Sequence, residues 1–222
     1  MAINKTDIHG NPYLGVLCSA SESLVISPKL IEEKDVDKIV KTLKVDEIVP
    51  MRINGASILG SLCAMNSKGI IVPNYTLEND VKDIGKHISV GEIPSKLTAA
   101  GNNILCNDKV AYIHTGFDNK SRGIIADVLD VEIAEGTVAG LETVGSVAYA
   151  TNKGLLVHPK ATDEEIETLK EFFGIPIKKT TANYGTPFIG ACLIANTKGA
   201  VVGSLTTGIE MGNIEDSLDV ID

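Results

Sequence analysis

The 222-residue sequence predicts a mixed α/β (α+β) fold, a five-fold pseudo-symmetric α/β propeller in which five hairpin–helix–strand repeats close into a ring. Three observations carry this prediction. One motif recurs five times, each copy has the pattern of a hairpin followed by a helix and a strand, and neither chain end has the pattern of a polar capping repeat. The copies begin near residues 15, 60, 102, 145 and 190, so a unit of about 44 residues accounts for the whole chain.

The repeat is clearest in residues 60–72, 145–157 and 190–202, where two apolar runs flank a polar turn that ends in Lys-Gly. Earlier and shortened copies lie at 15–26 and 103–113. Two apolar runs around such a turn predict a β-hairpin, and their nearly continuous apolar character predicts strands buried on both faces. Turn geometry accounts for the Asn and Lys residues at the turns, and the start of the strand accounts for the glycines that open each repeat.

A helix is predicted after each hairpin. The clearest begins with a capping box from Thr162 to Glu165 and ends at Gly174. Its apolar face is Ile166, Leu169, Phe172 and Phe173. The helices of the first three units are marked by Leu30, Val36, Ile39, Val40 and Leu43, then Val81 and Ile84, then Ile124, Ile125 and Val128. The fifth helix, around residues 213–217, is expected to be short.

A further short strand is predicted after each helix, at residues 47–50, 90–93, 131–133, 175–177 and 218–221. Helices with one apolar stripe must lie on a sheet, and five equal units favour a closed ring over an open solenoid. Residues 3–8 are expected to pair into the closing unit. Four-stranded propeller blades lack a helix and leucine-rich repeats are shorter, so neither architecture fits. We predict a single domain over residues 1–222, with units at approximately 1–57, 58–100, 101–143, 144–187 and 188–222.

Composition argues against a protein that grips nucleic acid directly. There are 20 basic and 29 acidic residues, which gives a net charge of −9, and the only arginines are Arg52 and Arg122. Phosphate backbone is usually bound by a basic face, and single strands by aromatic platforms, whereas this chain has 4% aromatic residues and no Trp. No apolar run approaches the length of a membrane span, and the first residues lack the apolar core of a secretory signal. We therefore expect a cytoplasmic protein.

One enzyme hypothesis rests on the four cysteines, because fivefold rings of such units include hydrolases that attack guanidino compounds with a Cys nucleophile and a His. The cysteines are Cys18, Cys63, Cys106 and Cys192. The first three occupy the same place in three repeats, on the first hairpin strand, which packing explains better than one catalytic centre. His114 and His158 likewise share one repeat position. No set of Cys, His and carboxylate stands out, and no cofactor, phosphate loop or metal site is predicted.

Several specific stretches of the sequence resemble one family. They are GIIVPNYT at 69–76, LTAAGN at 97–102 with CND at 106–108, IADVL at 125–129, TVA at 137–139, VGS at 144–146 and GLLVHP at 154–159. Five such units resemble the pentein fold, and these stretches within it resemble the translation initiation factor 6 family. The end of the chain soon after the last repeat is similar to the archaeal form.

The resemblance implies a protein that binds the subunit-joining face of the large ribosomal subunit, chiefly through ribosomal proteins, and prevents premature association with the small subunit. It also implies a role in large-subunit maturation, a monomer, little direct RNA contact, no membrane, no cofactor and no catalysis. The implied contact surface lies at one end of the ring, at Ser61, Asn102 and Phe188, with Tyr13, Ser146 and Val147 as neighbours by register. Ser61 departs from the basic residue that eukaryotic members place there. The alternative function is the guanidino hydrolase.

Overall fold

The computed structural model describes residues 2–220, and five three-stranded sheets follow one another along this part of the chain. Each sheet consists of an antiparallel hairpin and a third strand that runs parallel to the second hairpin strand. The sheets are β2 (Ser19–Ala20), β3 (Leu24–Pro28) and β4 (Glu47–Met51); β5 (Ala64–Met65), β6 (Gly69–Pro73) and β7 (Ser89–Ile93); β8 (Ile104–Cys106), β9 (Val110–Ile113) and β10 (Glu132–Glu135); β11 (Ala148–Ala150), β12 (Leu155–Val157) and β13 (Ile177–Lys179); and β14 (Leu193–Asn196), β15 (Gly199–Gly203) and β1 (Ile3–Thr6).

Two kinds of helix alternate between the strands. A single helical turn precedes each hairpin: α1 (Leu14–Leu17), α3 (Leu59–Leu62), α5 (Ala100–Asn103), α7 (Val144–Val147) and α9 (Ile189–Cys192). A longer helix connects the second and third strands: α2 (Glu33–Leu43), α4 (Glu78–Ile84), α6 (Asn119–Leu129), α8 (Asp163–Phe173) and α10 (Gly208–Leu218). We number units 1 to 5 by their short helices, and each unit includes the link that precedes its short helix.

The two ends of the chain complete one sheet, so the predicted closed ring is confirmed. Strand β1 pairs in parallel with β15, from Ile3 opposite Ala200 to Thr6 opposite Gly203. The predicted last strand at 218–221 is wrong for its described residues, because Leu218 still belongs to α10 and β1 already occupies the edge of β15. Ile221 lies outside the described residues. We propose that the ring is one domain.

The capped helix α8 is confirmed, with both halves of its capping box and a left-handed residue, Gly174, after its end. The expectation of a short fifth helix is wrong. Helix α10 has 11 residues and its own capping box between Thr207 and Glu210. Its glycines at 208 and 212 obscure the helical pattern, because Gly is a poor helix former. Helix α2 begins only at Glu33, which leaves Leu30 in an exposed loop.

The glycines at the repeat starts allow the short helices of neighbouring units to pack closely against each other. A methyl group on Gly145 would lie 2.1 Å from the carbonyl oxygen of Gly101, and the same contact recurs at every unit boundary. The five glycines are Gly15, Gly60, Gly101, Gly145 and Gly190. The sequence interpretation is therefore corrected: these glycines lie in single helical turns, not at the start of a strand, and permit close backbone approach.

Asparagines at the hairpin turns join neighbouring units, which is more than turn geometry requires. Asn66 Nδ2 donates to the carbonyl oxygen of Asn107 in the next unit, and Asn107 Nδ2 donates to the carbonyl oxygen of Thr151. Asn196 Nδ2 donates to Ser21 and so links the last unit to the first. These three asparagine side chains are buried. Buried amides with satisfied donors and acceptors fix the spacing of the units.

The middle strand of each sheet is buried along its whole length, as the apolar runs predict. The first hairpin strands surround a narrow central channel, whose cavity of about 80 Å³ is lined by the ring glycines and small residues. Because the first strand runs away from the short helices and the second and third strands run back, all second and third strands end on the same side. The ring thus has a short-helix end and a hairpin-turn end.

Candidate functional site

Exposed apolar side chains gather at the short-helix end. This end comprises the links at 7–13, 52–58, 94–99, 137–143 and 180–188, the segments that lead into the long helices at 28–32, 73–77, 114–118, 158–162 and 203–207, and the first two residues of α10. Of the eleven large apolar side chains exposed within residues 2–220, only Val40 lies elsewhere. The other ten are Tyr13, Leu30, Ile58, Tyr75, Leu77, Leu141, Tyr184, Phe188, Leu205 and Ile209. A concentration of this kind is typical of a protein interaction surface.

The apolar patch is off-centre. Units 5, 1 and 2, which are consecutive around the ring, contribute nine of these ten side chains, unit 4 contributes Leu141, and unit 3 contributes none. We call the exposed apolar side chains of units 5, 1 and 2 the apolar patch. A partner that covers it would sit over one side of the ring and reach the central channel only at its margin.

Tyr13 and Phe188 occupy equivalent positions, as the residues that precede α1 and α9. Their side chains are 38% and 44% exposed. Ile58 holds the same position before α3 and is 44% exposed, yet sequence reasoning did not select it. Its spacing of two residues before a ring glycine is the signal that could have found it. The short helices therefore present one aromatic or aliphatic side chain from each unit of the apolar patch.

The other sequence-predicted residues lie beside the ring glycines with less exposure. Asn102 and Ser146 are half-buried, and Ser146 Oγ donates to the carbonyl oxygen of Thr143. Val147 is fully buried in the core and Ser61 is 9% exposed, so neither side chain is available to a partner. The helical turn directs Val147, the second residue after its ring glycine, into the core, whereas Ser61 directly follows Gly60 and is buried at a position where Asn102 and Ser146 are half-buried. Val147 and Ser61 are therefore removed from the proposed surface.

Tyr184 is the most exposed large side chain at this end, at 83%. It lies in a tight turn where Asn183, Tyr184 and Gly185 have left-handed φ angles of 47°, 60° and 92°. The carboxylate of Glu210, in the first turn of α10, accepts hydrogen bonds from the N–H groups of Tyr184 and Gly185 and from the hydroxyl of Thr181. The Glu210 carboxylate thus stabilises the strained turn, and the aromatic ring of Tyr184 faces solvent.

Unit 4 repeats this arrangement with Glu165, which accepts hydrogen bonds from the N–H groups of Ala139 and Gly140. Burial would raise the pKa of Glu165 and of Glu210. The hydrogen bonds that each carboxylate accepts from backbone and hydroxyl groups outweigh burial and hold both pKa values below their usual range. Two charged carboxylates therefore anchor the links at neutral pH.

His158 supports the ring of Phe188. The two rings meet edge to face with centroids 6.3 Å apart, and Nδ1 of His158 accepts a hydrogen bond from the N–H of Lys160. Burial, together with the positive charge of Lys160, lowers the pKa of His158. The imidazole is consequently neutral at physiological pH, with its proton on Nε2.

Residues 3–217 of the sequence match the sequence model of the eIF-6 family. The chain belongs to the eIF-6 family. Among curated relatives named Translation initiation factor 6, that of Pyrococcus horikoshii is 40% identical and the match covers 100% of both chains. The relative from Methanosarcina mazei is 38% identical over 99% of this chain and 100% of its own. That of Methanocaldococcus jannaschii is 41% identical over 98% of this chain and 78% of its own.

The chain is also similar to a solved structure of a DDAH mutant from Pseudomonas aeruginosa complexed with citrulline. The TM-score is 0.49 at 10% identity, and the match covers 75% of this chain and 68% of that chain. No helix within residues 2–220 of this eIF-6 family member is long and apolar enough to cross a membrane.

The cysteines of this eIF-6 family member differ from the arrangement that the hydrolase hypothesis needs. Cys18, Cys63 and Cys192 are buried, and desolvation raises the pKa of Cys18 and Cys192 to about 12 and that of Cys63 further. Cys106 borders the channel, as do Cys18 and Cys63, and burial raises its pKa to about 12 as well. No histidine lines this channel within the described residues. A protonated thiol without a base beside it is a poor nucleophile.

The repeat register of Cys106 also needs correction. It stands five residues after its ring glycine Gly101, whereas Cys18 and Cys63 stand three residues after theirs. Cys106 is therefore equivalent to Met65, and the shortened third copy misled the alignment. Within residues 2–220, no three His, Cys, Asp or Glu side chains cluster in a way that would hold a metal ion.

Proposed function

We propose that this protein is a translation initiation factor that binds the subunit-joining face of the large ribosomal subunit and prevents its premature association with the small subunit. Membership of the eIF-6 family and the name shared by its relatives support this proposal. The single structural observation that carries it is the apolar patch, because an exposed apolar surface of this kind favours a stable protein contact at one end of the ring.

The charges favour contact through ribosomal proteins with little direct RNA contact. The chain has a net charge of −9, and one of its two arginines, Arg122, is occupied by Glu135 and by the carbonyl oxygens of Phe117 and Thr115. A phosphate-binding face would need a row of free cations. Aromatic anchors such as Phe188 and Tyr184 are the side chains that dominate affinity at protein interfaces.

In this proposal the ring acts as a steric block. It binds as a monomer through the short-helix end and leaves the hairpin-turn end facing the place of the small subunit. The acidic body adds repulsion toward the phosphates of the arriving subunit. The function requires neither a cofactor nor catalysis, and the protein works in the cytoplasm and on no membrane.

Cosedimentation with purified large subunits tests the contact face. We expect Phe188→Asp to weaken binding about thirtyfold or more, because a charge replaces an aromatic anchor in a desolvated contact. Val40→Asp is the matched control, since Val40 is 37% exposed and lies outside the short-helix end. Equal binding by both variants would show that the chosen face is wrong.

A second measurement tests the block itself. Large and small subunits are mixed at a magnesium concentration that permits association, and increasing amounts of the protein are added before centrifugation. We expect free subunits to accumulate as the protein saturates the large subunit. Undiminished subunit pairing at saturation would overturn the proposed function.

A further inference from the structure

A groove in unit 1 lies in the middle of the apolar patch, between the contributions of units 5 and 2. Its cavity has a volume of about 430 Å³. The floor contains the buried side chains of Ile8, Leu17 and Pro28, and Leu30, which is 67% exposed, stands at its edge. The apolar floor and the volume suit one or two apolar side chains of a partner.

Two cations face this groove without partners. Lys29 and Arg52 both line it, and both also line an adjacent cavity of about 280 Å³ between units 1 and 2. Within residues 2–220 neither side chain has an ion pair or a hydrogen bond, although Lys29 lies close enough to Asp83 to help lower the pKa of that carboxyl group. The other arginine, Arg122, by contrast makes three such contacts inside its own unit.

No carboxylate lines the groove within residues 2–220, and those of the adjacent cavity already have other hydrogen-bond or ion-pair partners. Asp83 lies 2.6 Å from the ammonium group of Lys86, and Glu47 lies 3.0 Å from Nδ1 of His87. Asp80 accepts a hydrogen bond of 2.8 Å from the N–H of Asn54. On the other side of the groove, Glu32 lies 2.7 Å from Lys34. Two cations and no carboxylate therefore line the groove within residues 2–220, beside an apolar floor, on a protein whose net charge is −9.

We propose that this groove binds an acidic segment of a partner protein, in which an apolar side chain enters the floor and a carboxylate pairs with Arg52 and Lys29. A guanidinium group binds a carboxylate through two parallel hydrogen bonds. The apolar floor favours an apolar side chain over the polar ribose-phosphate chain of RNA. Two cations are also too few for backbone binding to RNA. The inference rests on the proposed function for its partner, which is a protein of the large ribosomal subunit.

A photo-crosslinking experiment tests the occupant directly. The crosslinker p-benzoylphenylalanine replaces Leu30 in the groove and, in parallel, Phe188 in the apolar patch and Lys109 at the hairpin-turn end. Each full-length variant is bound to purified large subunits, irradiated, and its adducts are identified by mass spectrometry. We expect position 30 to crosslink to a ribosomal protein segment that carries Asp, Glu or a terminal carboxylate, and position 109 to give no adduct.

The other outcomes separate this inference from the proposed function. A crosslink from position 30 to ribosomal RNA, or to a protein segment without a carboxylate, overturns the groove proposal alone. An adduct at 188 without one at 30 does the same, because the face would be correct and the groove empty. No adduct at any position overturns both proposals.

Charge variants supply the second readout. We expect Arg52→Gln together with Lys29→Gln to weaken binding to large subunits about tenfold and to flatten its salt dependence, because a charge-assisted contact is lost. Lys109→Gln is the matched control, because Lys109 is exposed at the hairpin-turn end and its side chain has no partner among the described residues 2–220. Arg52→Lys should recover only part of the loss, since an ammonium group cannot pair bidentately. Equal affinities for the double variant and the control would contradict the proposal.

Discussion

The two ends of the ring are built from the same five repeats, yet their polar groups serve opposite purposes. At the hairpin-turn end, polar side chains form hydrogen bonds between neighbouring units. Asp108 accepts hydrogen bonds from Ser67 and Asn152, and Glu22 accepts one from Thr197. At the short-helix end, Glu210 and Glu165 accept hydrogen bonds from backbone N–H groups and threonine hydroxyls of the links, and apolar side chains remain exposed. In this repeat protein, one end of the ring thus carries hydrogen bonds that join the units, and the other end carries the exposed apolar side chains.

The contrast is sharpest between units 5 and 3 at the short-helix end. In unit 5, Glu210 secures a strained turn that presents Tyr184. In unit 3 the equivalent helix position is Ser121, whose buried Oγ has no hydrogen-bond partner within residues 2–220, and no isolated β-bridge closes the link at 94–99 as one does in the other four units. Where the anchoring carboxylate is missing, the exposed apolar residue is missing as well. Unit 4, with the anchor Glu165 and the single exposed apolar side chain Leu141, lies between these two extremes.

Gly145→Ala should have the largest effect, because it disrupts the contact between the short helices of neighbouring units. The added methyl group would lie 2.1 Å from Gly101 O, a backbone atom that cannot move without opening the ring. We expect a loss of more than about 3 kcal/mol in the free energy of unfolding by urea denaturation. Gly123→Ala is the control, since its methyl group meets nothing within 4 Å. It should gain about 0.5 kcal/mol, and equal effects for both variants would contradict the close-packed ring.

Asn66→Ala should weaken the hairpin-turn end alone. Its buried amide donates to carbonyl oxygens of Asn107 and Leu129, and its Oδ1 accepts from the N–H groups of the turn. We expect a loss of about 2 to 3 kcal/mol in the free energy of unfolding, with unchanged affinity of the folded protein for large subunits. The control Asn79→Ala, at an exposed helix position, should be close to neutral. A loss of affinity in Asn66→Ala would show that the two ends are not independent.

Much of the ring's architecture could be predicted from the sequence, because the same pattern of glycine, hairpin and helix recurs five times. Spacing identifies the repeats and their hairpins, and the inferred closure of the ring predicts the pairing of residues 3–8, whereas the last strand was wrongly placed at 218–221. Helix α10 was underestimated because Gly208 and Gly212 weaken its pattern locally, while tertiary packing still stabilises it. The buried role of Asn66 was missed because its partners lie 41 and 63 residues away in the sequence.

The contact end was harder to predict. Phe188 and Tyr13 came from the family resemblance combined with register, and Val147 came from register alone, which cannot distinguish the outer from the inner side of a helical turn. Tyr184 was missed because a tyrosine with a positive φ angle has no periodic signal. The exposure of such residues depends on how the five links assemble at one end of the ring. The sequence of a single unit carries no information about that assembly.

Glu210→Gln should have a moderate effect confined to the short-helix end of unit 5. We expect a loss of about 1 to 2 kcal/mol in the free energy of unfolding at neutral pH, because a neutral amide replaces a carboxylate that accepts several hydrogen bonds. Affinity for large subunits should fall as the Tyr184 turn loosens. Glu215→Gln, on the same helix, is the control.

The pH dependence gives this variant a second test. The pKa of Glu210 lies below its usual value of 4.5 in the folded protein, so its stabilisation is complete above pH 4.5 and is lost as the pH falls through the lower folded pKa. The difference between wild type and Glu210→Gln in the free energy of unfolding should therefore be constant near neutrality and shrink in acid. A difference that grows in acid would contradict the assigned charge.

The smallest effect concerns His158, whose imidazole supports Phe188. Its folded pKa lies below 6.5, so the unfolded chain takes up the proton first and stability falls as the pH drops from 6.5 to the folded pKa. Protonation also removes the Nδ1 acceptor for the N–H of Lys160 and places two positive charges side by side. An NMR titration of His158 should show its inflection below pH 6.5, and His158→Asn, which keeps an acceptor at that place, should abolish this part of the pH dependence. An inflection at or above 6.5 would mean that a charged imidazole is tolerated beneath Phe188, and the short-helix end would then hold its aromatic anchor by shape alone.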